Sequence, residues 1–253
     1  MAQVSVSVKH IPSNAFKTLR NYDSATVANV IELFQVRPST AGHVRGSVRA
    51  VYPELPPVVG YATTATFRAA YPSDDPNVYV KFPEQLKEMG ALPEPRIAVI
   101  QDLDDPPMAA TLGEVMCRAY KRFGCAAIIT SGGARDILAV RQLNFPVFAS
   151  SIIVSHGYCR IEDIHTPVWI CGLTVRPGDI LHADANGVVL IPNDIVEQVA
   201  GACEEFVAVE KVVMEYLEGK DATPEGYLQA EKLAAKQFDQ LSARLRKQLK
   251  AVR

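Results

Sequence analysis

Glu114 stands twenty-one positions before Arg135, and Arg135-Asp136 closes a glycine-rich turn, Ser131-Gly132-Gly133-Ala134-Arg135-Asp136, that follows the apolar run Cys125-Ala-Ala-Ile-Ile-Thr130. A carboxylate and an arginine delivered at the exit of a buried strand, with a second carboxylate on the first turn of the preceding helix, can gather two oxygen donors and a guanidinium around one cleft. Such a set could hold a divalent cation and stabilise an oxyanion beside it. The same residues admit a structural reading. Thr111-Leu-Gly-Glu114 has the spacing of a capping box, in which the threonine hydroxyl and the glutamate carboxylate each bond the other's backbone N–H. An Arg-Asp pair after a strand can be a loop salt bridge, which contributes little. Spacing by itself leaves both readings open.

The elements that must position these residues follow from hydrophobic patterning. Arg96-Ile-Ala-Val-Ile100 and Cys125–Thr130 read as buried strands, and Asp102-Leu-Asp-Asp-Pro-Pro107 breaks the chain after the first. A helix opening behind Thr111 carries Leu112, Val115, Met116, Ala119, Tyr120 and Phe123 on one broad core face. A helix near 136–143 and a strand Pro146–Ser150 continue a β-α-β rhythm, which implies locally parallel strands with right-handed crossovers.

Upstream, Asp23-Ser24 caps a helix over 25–34 whose apolar stripe suits packing on a sheet, His43–Val51 and Val58–Phe67 read as strands, and Phe82–Met89 as a short helix. Downstream, Val168–Pro192 reads as a tight antiparallel meander turned by Pro177-Gly178 and Asn186-Gly187, with Asp179 and Asp184 as turn formers. Central β-α-β with flanking meander means a mixed α/β sheet. Long helices then run from Asp194 to Glu218 and from Thr223-Pro224 onward, and the basic stretch Arg244–Arg253 reads as a solvated helical face. The expected division is a catalytic domain over 1–192 and a C-terminal helical extension over 193–253.

Composition sets outer bounds. An apolar fraction of 48% with 21% charged residues over 253 positions is that of a globular protein, and 26 basic against 28 acidic residues leave a net charge of −2, with no basic surplus to attract nucleic acid. The five cysteines, Cys117, Cys125, Cys159, Cys171 and Cys203, are odd in number and mostly sit in apolar segments, as buried free thiols of a reducing compartment do. Met1–Lys9 alternates polar and apolar residues rather than forming the apolar core of a signal peptide, and no stretch is long enough to span a membrane. Cytoplasm is the expected location.

Four segments between Leu112 and Pro192 carry a resemblance: Gly113-Glu114 followed at a fixed interval by Arg135-Asp136, Phe145-Pro-Val-Phe-Ala149, Pro177-Gly-Asp179, and Ala183-Asp-Ala-Asn-Gly-Val-Val189. With the glycine-containing stretch Val58–Thr66, they resemble the RraA-like family, that of the regulator of ribonuclease activity A, which includes metal-dependent 4-hydroxy-4-methyl-2-oxoglutarate aldolases. The likeness spans most of 20–195 and leaves the helical tail uncovered.

The resemblance implies a β/β/α swivelling-type domain assembled as a homotrimer or homohexamer, with sites between subunits and a small 2-oxo acid as substrate. It further implies that Asp136 ligates Mg2+ or Mn2+ directly and that Glu114 acts on the metal through water. Arg135 would contact the keto oxygen, and the amides around Gly113, Glu114, Val115 and Met116 would receive the substrate carboxylate, as a helix N-terminus can. The implied activity is aldol cleavage of a 4-hydroxy-2-oxo acid to pyruvate, with oxaloacetate decarboxylation beside it.

The alternatives are a non-enzymatic protein-binding regulator of a ribonuclease or other enzyme, and a structural homo-oligomer whose tail recruits a partner. Two departures from the family pattern stand out: Ser150-Ser151 where members commonly have Arg-Gly, and Asn29 where many have aspartate. The first falls where the distal half of a substrate would lie, near which His156 and Tyr158 are candidates either to line the pocket or to be satisfied loop residues.

Overall fold

The computed structural model describes residues 8–74 and 81–252, so most of the Met1–Lys9 alternation expected from the sequence lies outside the described residues. Two compact units emerge, one from residues 42–193 with 8–10, the other from 11–41 with 194–252. The sequence placed its one boundary at 192/193; packing instead groups the N-terminal helices with the C-terminal ones.

The strands of the first unit are β1 (Arg49–Ala50), β2 (Val58–Arg68), β3 (Arg96–Asp102), β4 (Ala110–Leu112), β5 (Cys125–Thr130), β6 (Gly133–Ala134), β7 (Val147–Ala149), β8 (Ser151–Ile152), β9 (Arg160–Ile164), β10 (Val168–Ile170), β11 (Leu173–Val175), β12 (Ile180–Asp184) and β13 (Gly187–Ile191). Its main sheet has the order β1-β7-β5-β3-β2-β12-β13, with β9 also paired to β2. The β2-β3-β5-β7 core is parallel, and β1, β9, β12 and β13 join antiparallel, which is the expected mixed sheet.

Parallel strands are covered on both faces, and these are. Ala98, Ile100, Ile128 and Val147 meet Cys117 and Tyr120 on one side. Ile97, Val99, Ala127 and Ile129 meet Val168, Ile170, Leu173 and Val175 on the other. That second cover shows why the expected meander divides in two: β10 and β11 form a separate hairpin, while β12 and β13 join the main sheet. The hairpin turns at Cys171-Gly172, both with positive φ, a turn additional to those expected at Pro177-Gly178 and Asn186-Gly187. His43–Val51 contributes only β1 and a single bridge from His43 to Val189 rather than a full strand.

The helices are α1 (Ser13–Leu19), α2 (Ser24–Leu33), α3 (Lys81–Glu88), α4 (Glu114–Arg122), α5 (Ile137–Gln142), α6 (Val196–Glu218) and α7 (Pro224–Val252). Asp23 caps α2 as expected, accepting the Thr26 N–H at 2.7 Å. The buried stripe Val27, Val30 and Ile31 nevertheless belongs to a helix that packs on α6 and α7, not on a sheet. An amphipathic stripe demands an apolar partner without specifying which kind. In the same unit Phe206 meets Phe238 at 4.8 Å, and the Ser242 hydroxyl donates to the Leu33 carbonyl at 2.6 Å. The basic end of α7 is spoken for in part, with Arg244 paired to Glu205 and Arg246 donating to Gln35. Among the described residues no helix is long and apolar enough to cross a membrane.

Candidate functional site

A second, small sheet builds the site. Its strands β4, β6 and β8 are all parallel, with Leu112 registered against Ala134 and Gly133 against Ser151. The Arg135 N–H donates to the Leu112 carbonyl at 3.0 Å, and the Ile153 N–H to that of Ala134 at 3.0 Å. Because β4 and β6 run the same way, with a register shift between Ala110 and Leu112 that brings Leu112 opposite Ala134, the residues leaving them emerge side by side. Those residues are Gly113-Glu114, which open α4, and Arg135-Asp136, which open α5. None of these two- and three-residue strands was evident in the sequence, where 131–136 read as a turn.

Gly113 makes the meeting close. Its φ of −145° is open to any residue, so space rather than backbone conformation selects glycine. A Cβ at this position would lie 2.5 Å from Asp136 Oδ2 and 3.0 Å from Arg135 Nε, so both side chains rest on the bare backbone. Asp136 itself has left-handed φ and ψ of 56° and 37°, a conformation aspartate and asparagine tolerate better than most residues. Its Oδ2 accepts the Glu114 N–H at 3.0 Å and lies 3.8 Å from Arg135 Nε. The cap of α4 therefore comes from across the cleft.

The capping box expected from Thr111 is not formed. Helix α4 begins at Glu114, which makes Gly113 the N-cap and leaves Thr111 inside β4, where its hydroxyl donates to Asp102 Oδ2 at 3.2 Å. Glu114 Oε1 is instead held by Arg118 one turn on, through Nε at 2.8 Å and Nη2 at 2.6 Å. The core face of α4 is also narrower than its pattern implied: Cys117 and Tyr120 are buried, Leu112 belongs to β4, and Val115 and Phe123 are exposed. The first intrahelical bond is from Cys117 N–H to the Gly113 carbonyl at 3.1 Å, so the amides of Glu114, Val115 and Met116 precede it at the positive end of the helix.

Burial raises the nearby thiols: Cys117 to about 12, with the Asp136 carboxylate adding to the effect, and Cys159 upward by burial against the opposing pull of Arg135. Both shifts disfavour the thiolate, the nucleophilic form of cysteine. Other candidates fall outside the cluster. Asp179 and Asp184 accept the backbone N–H groups of Arg176 at 2.7 Å and Asn186 at 2.8 Å, as turn formers. His156 Nδ1 lies 2.7 Å from the Gly157 carbonyl, and Tyr158 is half exposed. Ser150 and Ser151 do border the site: the Ser150 N–H and hydroxyl both donate to the Gly132 carbonyl, at 3.0 and 2.9 Å.

Sequence reasoning missed Arg118, readable from its i,i+4 spacing to Glu114, and Asp102, whose only signal was a carboxylate ending an otherwise apolar strand. As for a metal, among the described residues no three His, Cys, Asp or Glu side chains gather as a cage. Asp136, with Glu114 at the adjoining helix start, offers the one or two carboxylates that suffice for Mg2+ or Mn2+ when the ion keeps most of its water.

The family profile described as RraA-like, Aldolase/RraA, matches residues 27–190. A protein of Halalkalibacterium halodurans named "Putative 4-hydroxy-4-methyl-2-oxoglutarate aldolase" is 32% identical over 106 residues, 42% of this chain and 50% of that protein. Protein DlpA of Legionella pneumophila is 35% identical over 89 residues, 34% of this chain and 14% of its own length. The chain thus spans half or less of the length of these relatives. The crystal structure of Streptomyces coelicolor RraAS2, described as an unusual member of the RNase ES inhibitor RraA protein family, superposes with a TM-score of 0.64 at 22% identity, covering 80% of this chain and 96% of that one. The mixed α/β fold is shared.

Proposed function

This chain belongs to the RraA-like family, and from that membership we propose that it is a divalent-metal-dependent carbon–carbon lyase that cleaves a 4-hydroxy-2-oxo acid to pyruvate, with oxaloacetate decarboxylation as an associated activity. The observation that carries the reading is the seat over Gly113, where Arg135 and Asp136 meet the Glu114 amide at the start of α4. The names of the aldolase-like relatives support it.

Aldol cleavage removes the proton of the 4-hydroxyl, breaks the C3–C4 bond and leaves a carbonyl on one fragment and the enolate of pyruvate on the other. Protonation of that enolate at C3 completes the product. The amides of Val115 and Met116 suit the substrate carboxylate. Arg135, with its planar set of donors, meets the charge that develops on the keto oxygen. Glu114, fixed by Arg118 through one oxygen, is the group placed to accept and return the proton. Asp136 directly, and Glu114 through water, would hold Mg2+ or Mn2+, which when bound supplies Lewis-acid charge for the enolate.

The protein is also proposed to act as a homotrimer or homohexamer. Val115, Leu138 and Ile152 are 79%, 82% and 60% exposed on α4, α5 and β8, and Val154, just after β8, is 88% exposed, a surface that a neighbouring copy would cover. Light scattering on the purified chain checks this; a monomer at micromolar concentration would refute it.

The deciding experiment is pyruvate release across 4-hydroxy-2-oxo acids and oxaloacetate, with and without chelator. Metal-restored release is expected, activity that survives chelation would sink the mechanism, and silence on every substrate would favour the protein-binding alternative. In the same assay Gly113→Ala is expected to fold normally, because the added methyl displaces side-chain atoms that can swing aside. It should nonetheless lower turnover about ten- to a hundredfold, as misplacement of a reacting group by about 1 Å does. Equal activity would show that the seat is not used.

A further inference from the structure

Asp102, at the end of β3, is 8% exposed, yet its carboxylate and backbone bond to its own following loop and to two other segments. Its Oδ2 accepts the Thr111 hydroxyl at 3.2 Å, its Oδ1 the Asp104 N–H at 3.0 Å, and its own N–H donates to Ser131 Oγ at 2.9 Å. Gly132 is pressed onto the same point, since a Cβ there would overlap the Thr111 hydroxyl and the Asp102 carboxylate. Thr111 lies two residues before Gly113, and Gly132 three before Arg135. One buried residue therefore ties together the two segments that deliver the halves of the site, its carboxylate bonding Thr111 and packing against Gly132 while its backbone N–H holds Ser131.

We propose that Asp102 is a positioning residue, a lock that sets the spacing between the start of α4 and the Arg135-Asp136 corner without touching the substrate. The proposal rests on the reading of the site given above. A neutral clamp would serve packing more cheaply, because desolvating a carboxylate is unfavourable. Burial pushes Asp102 up to about 6, aided by the Asp104 carboxylate and opposed by the Asp104 N–H, the Thr111 hydroxyl and Arg68. Of the groups facing it, Asp104 is itself held by the Ala69 and Ala70 amides at 2.7 and 2.8 Å and by Arg68, which also lies 3.8 Å from Glu162. From β4 and the 130–132 loop it meets only the uncharged Thr111, Ser131 and Gly132.

The sign of the linkage separates lock from filler. A carboxyl raised in the folded state adds stability that is complete below its unfolded pKa and is lost as pH rises through about 6. At pH 7.5 Asp102→Asn should thus leave Tm unchanged or higher. It should also lower kcat for pyruvate release about ten- to a hundredfold, the scale of a misplaced group, and remove an acid limb near pH 6 from the kcat profile. Thr111→Val should reproduce the kcat loss and Thr111→Ser restore it. Hydrogen exchange, read on the same proteins without substrate, should quicken in 110–116 and 130–136 of Asp102→Asn and Thr111→Val and return to normal in Thr111→Ser. This arm decides the lock even where the wild type releases no pyruvate, a result that would instead count against the lyase. Unchanged exchange in those segments overturns the proposal, as does a kcat loss that only tracks a fall in Tm.

Discussion

Asp136→Asn is expected to fold like the wild type and to lose metal-stimulated pyruvate release. Asparagine tolerates the left-handed backbone at this position, with φ of 56°, and its amide oxygen can still accept the Glu114 N–H that caps α4. What it lacks is the charge that a hard cation requires of its one direct protein ligand. Asp136→Ala would lose the cap and accept left-handed strain together, a destabilisation of about 2 kcal/mol from the two sources. The asparagine variant therefore isolates the metal from the fold. Titrating Mg2+ or Mn2+ into both proteins while recording Tm and turnover checks it, and wild-type metal dependence in Asp136→Asn would refute the assignment.

Glu114→Gln is expected to lower pyruvate release by about two orders of magnitude or more, the scale of a general acid–base contribution. Its structural consequences should be slight. Glutamine keeps an oxygen for Arg118, the exposed pair at i,i+4 is worth only about 0.5 kcal/mol, and the Thr111 hydroxyl is engaged with Asp102 rather than with this residue. Circular dichroism and Tm should match the wild type, with the loss confined to turnover at saturating metal. A fully active variant would reduce Glu114 to a partner of Arg118 and strengthen the case for a protein-binding regulator.

What the sequence determined by itself was whatever short-range chemistry governs. Runs of apolar and β-branched residues marked β2, β3 and β5, the alternation of strand and helix implied their parallel order, Asp23 announced the cap of α2, and Pro224 the start of α7. The four motif segments identified the family, and within it the residues worth watching. Tertiary structure decided who meets whom. The pairing of β4 with β6 is too short to leave a period in the sequence, yet its register sets Gly113 beneath Arg135 and Asp136. A hydroxyl spaced for a capping box went to Asp102, and a carboxylate read as either a salt-bridge partner or a metal ligand caps the neighbouring helix. Helix α2 presented an apolar stripe that a sheet or a helix could equally have covered, and α6 and α7 covered it. Local propensity and turn chemistry act over a few residues, whereas donors, acceptors and apolar faces choose partners only after the chain has closed longer loops, nine residues from Asp102 to Thr111 and twenty-two from Glu114 to Asp136. For that reason the identities at this site are written in the sequence and its connections are not.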